Sequence, residues 1–315
     1  MISIPVQRTR IMGVVNVTPD SFSDGGRFFD HDLAIRHGLA LLADGADIID
    51  VGGESTRPGS ARVSGEEEQR RVLPVIEALV AEGATVSVDT TRVDIARLAL
   101  GAGAHILNDV SGAKSEPAMA ALAAEADVPL IVMHWREASA TMQGSAVYDD
   151  VVRDVVDELR AQLDVVREAG VSDDKIIVDP GLGFSKTGEH NWSLLAGLDS
   201  LQALGFPVLV AASRKRFLST LVGGVLPEVV EPGQPAGPSE TEPIVSPSLA
   251  DRDAATAAVT ALAARAGAWC VRVHDARGSR IAVEVARAWN EATLPAVGIA
   301  EPLPGIAEPH GTRGT

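Results

Sequence analysis

The sequence is short of cysteine, of aromatic residues and of positive charge. Its one cysteine, Cys270, cannot form an intramolecular disulfide. Aromatic residues make up only 3%, so we expect an aliphatic core of Ala, Val, Leu and Ile. Lys and Arg number 27 against 43 Asp and Glu, and the formal net charge of −16 argues against binding nucleic acid or an anionic membrane through the overall field. Any anion site must be local.

The sequence also lacks the apolar segments that would direct or anchor a chain to a membrane. No apolar run approaches the roughly 20 residues that a membrane-spanning helix requires. The N-terminal MISIPVQRTR has no long apolar core of the kind found in signal peptides. Together with the lone cysteine, these features lead us to expect a cytoplasmic protein.

The sequence does contain a regular alternation of two patterns. Short β-branched or aliphatic runs, typical of buried strands, recur eight times. They are IMGVVNV (11–17), DIIDVGG (47–53), TVSVDT (85–90), HILNDVSG (105–112), PLIVMHW (129–135), KIIVDPG (175–181), PVLVAAS (207–213) and AWCVRVHD (268–275). Between them lie stretches with helical spacing of apolar residues, such as 33–45, 66–83, 93–103 and 148–170. Tyr148, the only tyrosine, is expected to pack on the last of these helices.

This alternation predicts parallel strands joined by right-handed helical crossovers. Eight such units fit one α/β domain of the (β/α)₈ TIM barrel type, although the 315-residue length also allows two modest domains. A doubly wound open sheet is the alternative. We favour the barrel because all eight runs end in polar or Gly residues. In a barrel these ends form one rim, whereas an open sheet concentrates its chemistry at a switch point.

Two segments depart from the alternation. Residues 223–250 contain six prolines and no Lys or Arg, which predicts a flexible acidic insertion between the two halves of the seventh helical region. The tail from Thr293, again rich in Pro and Gly, is expected to be disordered. The predicted organisation is therefore one barrel domain over residues 1–292, which carries the insertion, followed by the tail 293–315.

Polar side chains of one parity near the strand ends form a candidate site. Alternate side chains of a strand face the same way, so Ser87 and Asp89 share a face, as do Arg272 and His274. The other parity is apolar and suits contact with outer helices, so we expect the polar set to point into the barrel. The set is Asn16, Asp89, Asn108, Asp179, Lys215, Arg272 and His274. A structural ion pair of Arg272 with an acid would also explain such inward charges.

The set divides into two chemistries. Two acids and an Asn can accept and donate hydrogen bonds to a flat, nitrogen-rich heterocycle. Arg272, His274 and the Lys215 region supply cations beside the last two strands, the recurrent phosphate-binding position of a barrel. A ligand with a polar ring at one end and phosphate at the other would satisfy both. His105, His134 and His190, in contrast, are scattered without metal-ligand spacing, so we expect no zinc site.

Three loops, after the first, second and sixth strands, bear on this candidate site. Residues 17–26 are turn-formers and are long enough to be a mobile lid, although a plain surface loop is the alternative. Residues 52–60 place an Arg at the rim, which a solvated turn would explain equally well. In residues 179–191 a proline keeps Asp179 extended and glycines permit close approach of a ligand, but the P-loop spacing is absent.

These segments resemble one known family. The motifs NVTPDSFSDGG, DVGGESTRPG, SVDT, NDVSG, MHW, DPGLGFSKT, ASRKRF and RVHD, in this order, resemble dihydropteroate synthase of bacterial folate biosynthesis. The similarity runs over about residues 10–290, apart from the insertion. It implies a TIM barrel transferase that couples 6-hydroxymethyl-7,8-dihydropterin pyrophosphate to p-aminobenzoate and releases pyrophosphate with Mg²⁺ as cofactor. It also implies a homodimer and inhibition by sulfonamides, which resemble p-aminobenzoate.

The resemblance assigns roles to residues of this chain. The pterin would be bound by Asp89, Asn108, Asp179 and Lys215, with Met133 packed against it. The p-aminobenzoate site would be shaped by Thr56, Arg57, Pro58, Phe184 and Ser213. Asn16 would be the metal ligand that assists the Mg²⁺–pyrophosphate, and Arg272 and His274 would contact the phosphates. The catalytic residues would be Asp24, Lys215, Arg272 and His274, whereas Arg214 and Arg216 would be partly structural.

Two other functions remain open at this point. A non-catalytic paralogue would keep the pterin site and lose turnover, although the intact STRPG and SRKRF segments argue against it. A methyltransferase that binds a folate pterin on a similar barrel would have no use for the diphosphate end. Binding of methyltetrahydrofolate without any response to pyrophosphate would indicate that second alternative.

Overall fold

The structure is a computed structural model, and it describes residues 8–18, 31–55, 62–136, 146–222 and 247–292. Within these ranges eight strands alternate with helices. The strands are β1 (Arg10–Asn16), β2 (Ile48–Gly52), β3 (Val86–Asp89), β4 (Ile106–Asp109), β5 (Leu130–Met133), β6 (Ile176–Asp179), β7 (Leu209–Val210) and β8 (Cys270–Val273). The α-helices are α1 (His31–Ala43), α2 (Gly65–Ala81), α3 (Val93–Gly101), α4 (Ala118–Ala126), α5 (Val151–Glu168), α6 (Gly188–Ala196), α7 (Leu198–Gln202), α8 (Arg216–Val222), α9 (Leu249–Arg265) and α10 (Ala276–Glu291).

The strands form one parallel sheet that closes into a barrel. Their order is β6-β5-β4-β3-β2-β1-β8-β7, so each strand pairs with its neighbour in sequence and β1 pairs with β8. A parallel bridge between Val178 and Val208 joins the two ends of this order. The eight predicted strands and the TIM barrel are therefore confirmed, and the open doubly wound sheet is excluded. The seventh run is shorter than predicted because only Leu209–Val210 pair regularly at this seam.

Two layers of apolar side chains separate the inside of the barrel from its outside. The inner layer is a small cluster of Met12, Ile48, Ile106, Ile131, Ile177, Leu209, Trp269 and Cys270. The neighbouring residues of opposite parity belong to a larger cluster that packs against the helices, and they include Val51, Val88 and Val271. This alternation is what a strand imposes on a barrel wall. The same alternation determines which polar side chains of the strands point into the barrel.

The helix predicted over 148–170 begins later than its apolar pattern suggests. Asp150 is the N-cap of α5, and its carboxylate accepts hydrogen bonds from the backbone amides of Val152 and Arg153 at 3.1 Å each. Tyr148 therefore precedes the helix, and its hydroxyl donates to the carbonyl of Ser185 at 3.1 Å. Tyr148 does pack against the larger apolar cluster, but from outside the helix, because α5 begins only after the Asp150 cap.

The predicted insertion also ends earlier than proposed. Ser248 and Asp251 form a capping box that begins α9 at Leu249, so the last positions of 223–250 are helical. Residues 223–246 and the tail 293–315 lie outside the described residues, and their predicted properties stay predictions. Among the helices that the structure does describe, none is long and apolar enough to cross a membrane.

Candidate active site

A cluster of charged and amide side chains fills the carboxyl end of the barrel, which we call the barrel mouth. Asp50, Asp89, Asn108 and Asp179 are all buried, and the Arg272 side chain is 18% exposed. The strand register places Gly52 beside Asp89, and Asp89 beside Asn108. Inward parity and adjacent strands thus bring together residues that are far apart in the sequence.

Arg272 is held between two carboxylates. Its Nε donates to Asp50 Oδ2 at 2.6 Å, and its Nη2 donates to Asp89 Oδ2 at 2.8 Å. Asn108 Nδ2 donates to the same Asp50 oxygen at 3.0 Å. The ion pair considered as a structural alternative for Arg272 is therefore present, and it lies inside the candidate site.

Asp50 is a member of the cluster that the sequence analysis missed. It lies on β2 between Ile48, which belongs to the inner apolar cluster, and Gly52, and it is 0% exposed. The same alternation that selected Asp89 could have found it, because Ile48, Asp50 and Gly52 share one parity. Asp50 reaches the two predicted site residues Arg272 and Asn108, so it sets the geometry of the mouth from below.

Burial dominates the protonation of this cluster. It raises the pKa of Asp89 to about 7, against the opposing effect of Arg272, and nearby Asp50 adds to the rise. Burial alone would lower the pKa of the Arg272 guanidinium, but Asp50 and Asp89 more than compensate and raise it above its ordinary value. Arg272 is therefore a permanent cation, whereas Asp89 titrates near neutral pH.

A second charged pair lies across the mouth. Asp179 ends β6, and its Oδ1 accepts from the Gly181 amide at 2.7 Å. Lys215 Nζ donates to the carbonyl of Leu182 and lies 4.8 Å from the centre of the Phe184 ring. Burial lowers the pKa of Lys215 to about 8, partly offset by Asp179, and burial raises the pKa of Asp179. The loop after β6 is thus tied to the segment after β7.

The remaining predicted residues border these two pairs. Ser213 Oγ lies 2.9 Å from His274 Nδ1 and accepts from the His274 amide at 3.2 Å, which links the ends of β7 and β8. Met133 is buried at the end of β5, and Asn16 is half-buried at the end of β1. Asp24, Thr56, Arg57 and Pro58 lie outside the described residues, as do most of the loops 17–26 and 52–60 that carry them.

The other two basic residues of the SRKRF segment have separate surroundings. Arg214 has a left-handed backbone with φ of 57°, and its guanidinium pairs with Asp253 on α9 through bonds of 2.6 and 2.8 Å. Arg216 is exposed at the start of α8. Only Lys215 of the three points to the Asp179 side of the mouth, in agreement with a structural role for Arg214.

The mouth offers an oxygen ligand of the kind that a magnesium ion requires. Mg²⁺ prefers oxygen ligands and is commonly bound by one or two protein groups together with phosphate oxygens. The side-chain oxygen of Asn16 is such a ligand. It lies beside Gly52 of the neighbouring strand, 3.7 Å from where a Cβ on that glycine would be, so the glycine leaves space next to it. Within the described ranges, no group of three or more His, Cys, Asp or Glu side chains could hold a metal ion by itself. The residues present fit an ion that is bound mainly by a substrate phosphate.

Comparison with known proteins gives one consistent result. A family model described as pterin binding enzyme matches residues 12–274. Dihydropteroate synthase of Mycobacterium leprae is 50% identical over 289 residues, covering 91% of this chain and 95% of the relative. The Xanthomonas albilineans dihydropteroate synthase solved with 4-aminobenzoic acid matches with a TM-score of 0.77 and 40% identity, over 90% of this chain and 94% of that one. The same enzyme solved with 7,8-dihydropteroate matches with a TM-score of 0.75 and 38% identity, over 90% and 95%. The Yersinia pestis dihydropteroate synthase with a sulfonamide drug matches with a TM-score of 0.78 and 36% identity, also over 90% and 95%.

Proposed function

The chain belongs to the pterin binding enzyme family, as a dihydropteroate synthase, and from this premise we propose how its barrel mouth carries out the reaction. The enzyme is a transferase of folate biosynthesis. It condenses 6-hydroxymethyl-7,8-dihydropterin pyrophosphate with p-aminobenzoate to give 7,8-dihydropteroate and pyrophosphate. The observation that carries the proposal is the position of both predicted chemistries, the buried acids and the cations, in one mouth.

We assign the pterin ring to the acidic side of the mouth. A carboxylate can accept from a ring N–H and an exocyclic amine together, and Asp89 and Asp179 are the buried carboxylates placed to do so. Asn108 can both donate and accept, and Met133 offers an apolar surface to the ring. Lys215 closes this side from above the Phe184 ring.

We assign the diphosphate to Arg272, His274 and Asn16. Arg272 uses Nε and Nη2 for its two acids, and Nη1 is the nitrogen that we assign to a phosphate oxygen. Asn16 would hold a Mg²⁺ ion together with the diphosphate, and the bound ion would neutralise the charge of the leaving group. Asp24 stays a predicted catalytic residue, outside the described residues.

We propose that p-aminobenzoate binds beside Phe184 and Ser213, under the predicted contribution of Thr56, Arg57 and Pro58. Its amine displaces pyrophosphate from the methylene carbon of the pterin: the C–N bond forms, the C–O bond to the diphosphate breaks, and the amine loses a proton. The protein needs no nucleophile of its own for this step. Its contribution is electrostatic, because fixed cations and dipoles stabilise the departing negative charge.

One further assignment rests on this function, and three other predictions stay untested. The likeness to the Yersinia pestis enzyme with a sulfonamide drug supports the same p-aminobenzoate site as a sulfonamide target. The homodimer and the cytoplasmic location stay predictions. So does the division of the chain into a barrel domain over 1–292 and a tail over 293–315.

The first prediction tests the function itself. Purified protein given dihydropterin pyrophosphate and Mg²⁺ is expected to release pyrophosphate only when p-aminobenzoate is present, because the amine is the attacking group. A coupled pyrophosphate assay with and without p-aminobenzoate measures this. Pterin binding without release would support the non-catalytic paralogue, and binding of methyltetrahydrofolate without use of the diphosphate would support the methyltransferase.

The second prediction concerns pH. Asp89 can accept from a ring N–H and an exocyclic amine together only as a carboxylate, so kcat/KM for the pterin substrate is expected to fall as the pH drops through about 7, where this group becomes protonated. Lys215 loses its charge as the pH rises through about 8, which gives the alkaline limb. The profile of kcat/KM measures both. In Asp179→Asn the alkaline limb should move to lower pH, because the carboxylate that favours charged Lys215 is gone; an unmoved limb would contradict the assignment.

A further inference from the structure

A chain of polar side chains runs behind the loop that follows β6. Lys186 Nζ donates to the Phe184 carbonyl at 3.0 Å and lies 2.9 Å from His134 Nδ1. On the other side of the ring, His134 Nε2 lies 2.9 Å from Glu158 Oε2 on α5. None of these three side chains has a part in the reaction assigned above, yet together they connect the body of the barrel to the backbone of Phe184.

The hydrogen bonds fix the form of the histidine ring. The pKa of Glu158 is lowered to about 2, chiefly by its hydrogen bond with His134, so Glu158 is a carboxylate that can only accept. The ring proton is therefore on Nε2, which donates to Glu158, and Nδ1 accepts from Lys186. His134 is 0% exposed, and burial lowers its pKa to about 4, which keeps the ring neutral as this arrangement requires. Burial lowers the pKa of Lys186 to about 7, but a neutral amine still has enough N–H groups for both bonds.

A second connection reaches the adjacent carbonyl of the same loop. Glu158 pairs with Arg136, whose guanidinium lies 3.7 Å from the centre of the Tyr148 ring. The Tyr148 hydroxyl donates to the Ser185 carbonyl at 3.1 Å. Two consecutive carbonyls are therefore hydrogen-bonded: Lys186 binds that of Phe184, and Tyr148 binds that of Ser185. Both side chains are connected to Glu158, Lys186 through His134 and Tyr148 through Arg136.

The loop has a backbone that needs such support. Gly181 and Ser185 both have left-handed backbones, with φ of 67° and 48°. A Cβ on Gly181 would lie 2.3 Å from the His134 carbonyl, so this turn is wrapped closely around the end of β5. For Ser185 the left-handed conformation costs free energy, which the surrounding contacts must offset.

We propose that Lys186, His134 and Glu158 form a positioning relay, which holds the Phe184 ring against Lys215 and thereby determines the affinity for p-aminobenzoate. The proposal rests on the proposed function, because it uses the assignment of Phe184 to the p-aminobenzoate side. Asp179 precedes the loop, at the end of a strand, and is fixed by the Gly181 amide. The relay therefore positions the p-aminobenzoate side, whereas toward the pterin side Lys186 contributes only its charge, which lowers the pKa of Asp179.

Lys186→Met tests the relay, because Met keeps the length of the side chain and removes its donor. The KM for p-aminobenzoate is expected to rise about tenfold, as for loss of a buried hydrogen bond. The Kd for dihydropterin pyrophosphate, measured without p-aminobenzoate, should rise by a smaller factor than this KM, because only the charge of Lys186 acts on Asp179. Lys175→Met is the matched control, since Lys175 precedes β6 at the opposite end of the barrel and bonds to the Asp127 carbonyl. It should change neither constant.

A double-mutant cycle with Phe184→Ala shows whether Lys186 acts through this ring. If it does, Lys186→Met should raise the KM for p-aminobenzoate little further once Phe184 is absent. A rise of the same size in both backgrounds would mean that Lys186 contacts the ligand directly, and it would overturn the relay. Glu158→Ala changes a half-exposed end of the same chain, so it supplies a second variant if Lys186→Met does not fold, and it should raise the same KM by about threefold.

Amide hydrogen exchange of residues 181–186 provides a readout that does not need turnover. Exchange in this segment should be faster in Lys186→Met than in the wild type and Lys175→Met. If the wild-type protein releases no pyrophosphate, the proposed function fails and the exchange result alone decides whether the relay holds the loop. If the wild type turns over while exchange and KM are unchanged in Lys186→Met, the function stands and the relay is wrong.

Discussion

Asp50→Ala is expected to lower kcat/KM at least about a hundredfold, although this residue lies beneath the mouth and has no assigned contact with substrate. Its Oδ2 orients both Arg272, at 2.6 Å, and Asn108, at 3.0 Å. Without it, the guanidinium keeps only Asp89, and the amide of Asn108 loses its partner. Removing one member of a buried ion cluster also costs about 3 kcal/mol of folding free energy. Steady-state kinetics and denaturant unfolding measure the two effects.

The pH dependence of kcat/KM distinguishes a loss of positioning from a simple loss of stability. The charge of Asp50 helps to raise the pKa of Asp89. In Asp50→Asn, which nearly preserves shape, the pKa of Asp89 should fall below 7 and the acid limb of kcat/KM should move to lower pH. A variant that is only less stable would keep the wild-type limb.

Asp47→Asn is the matched control for Asp50→Asn. Asp47 is three positions earlier, and it also pairs with an arginine, Arg8, at 2.6 Å. It lies at the opposite end of β2, where it accepts from the Ile11 amide at 2.8 Å. Its replacement should reduce stability and leave the pH profile unchanged. Equal losses of turnover in Asp47→Asn and Asp50→Asn would contradict a special role for Asp50.

The barrel could be predicted because it depends on patterns that are local in the sequence. In each strand, the side chains alternate between the two faces, and this pattern can be read from the sequence. The parallel order follows from the helices between the strands. The inward set was predictable for the same reason, as Asp89 and Arg272 show. Asp50 had the same signal, but the apolar residues around it, Ile48, Ile49 and Val51, make the run read as continuous core.

The partners of the charged residues could not be predicted, since they depend on which strands are adjacent in space. Arg272 meets Asp50 from a distance of 222 residues in the sequence. Arg272 therefore cannot be described only as a phosphate-binding cation: its position is set by two carboxylates. Tyr148 shows the same limit, because its contact with Ser185 arises only when α5 packs beside the loop after β6.

Lys215→Met should lower kcat/KM about a thousandfold, the size of loss seen when a preorganised electrostatic contact is removed. Lys215 is the cation beside Asp179, and it bonds to the Leu182 carbonyl while covering the Phe184 ring. Met keeps the apolar stem and removes only the ammonium, so the variant should fold. Asp179 then loses its compensating charge, its pKa rises further, and pterin binding weakens together with turnover. Pyrophosphate release and pterin Kd measure these losses.

Arg216→Met is the control, because Arg216 is adjacent, carries the same charge and is exposed at the start of α8. It should retain turnover within about twofold, as exposed charges contribute little. Comparable losses in both variants would mean that the positive charge of the SRKRF segment acts as a diffuse field. Loss confined to Lys215→Met would mean that a single half-buried ammonium, bonded to one loop carbonyl and favoured by the charge of Asp179, supplies what this acidic protein needs at its mouth.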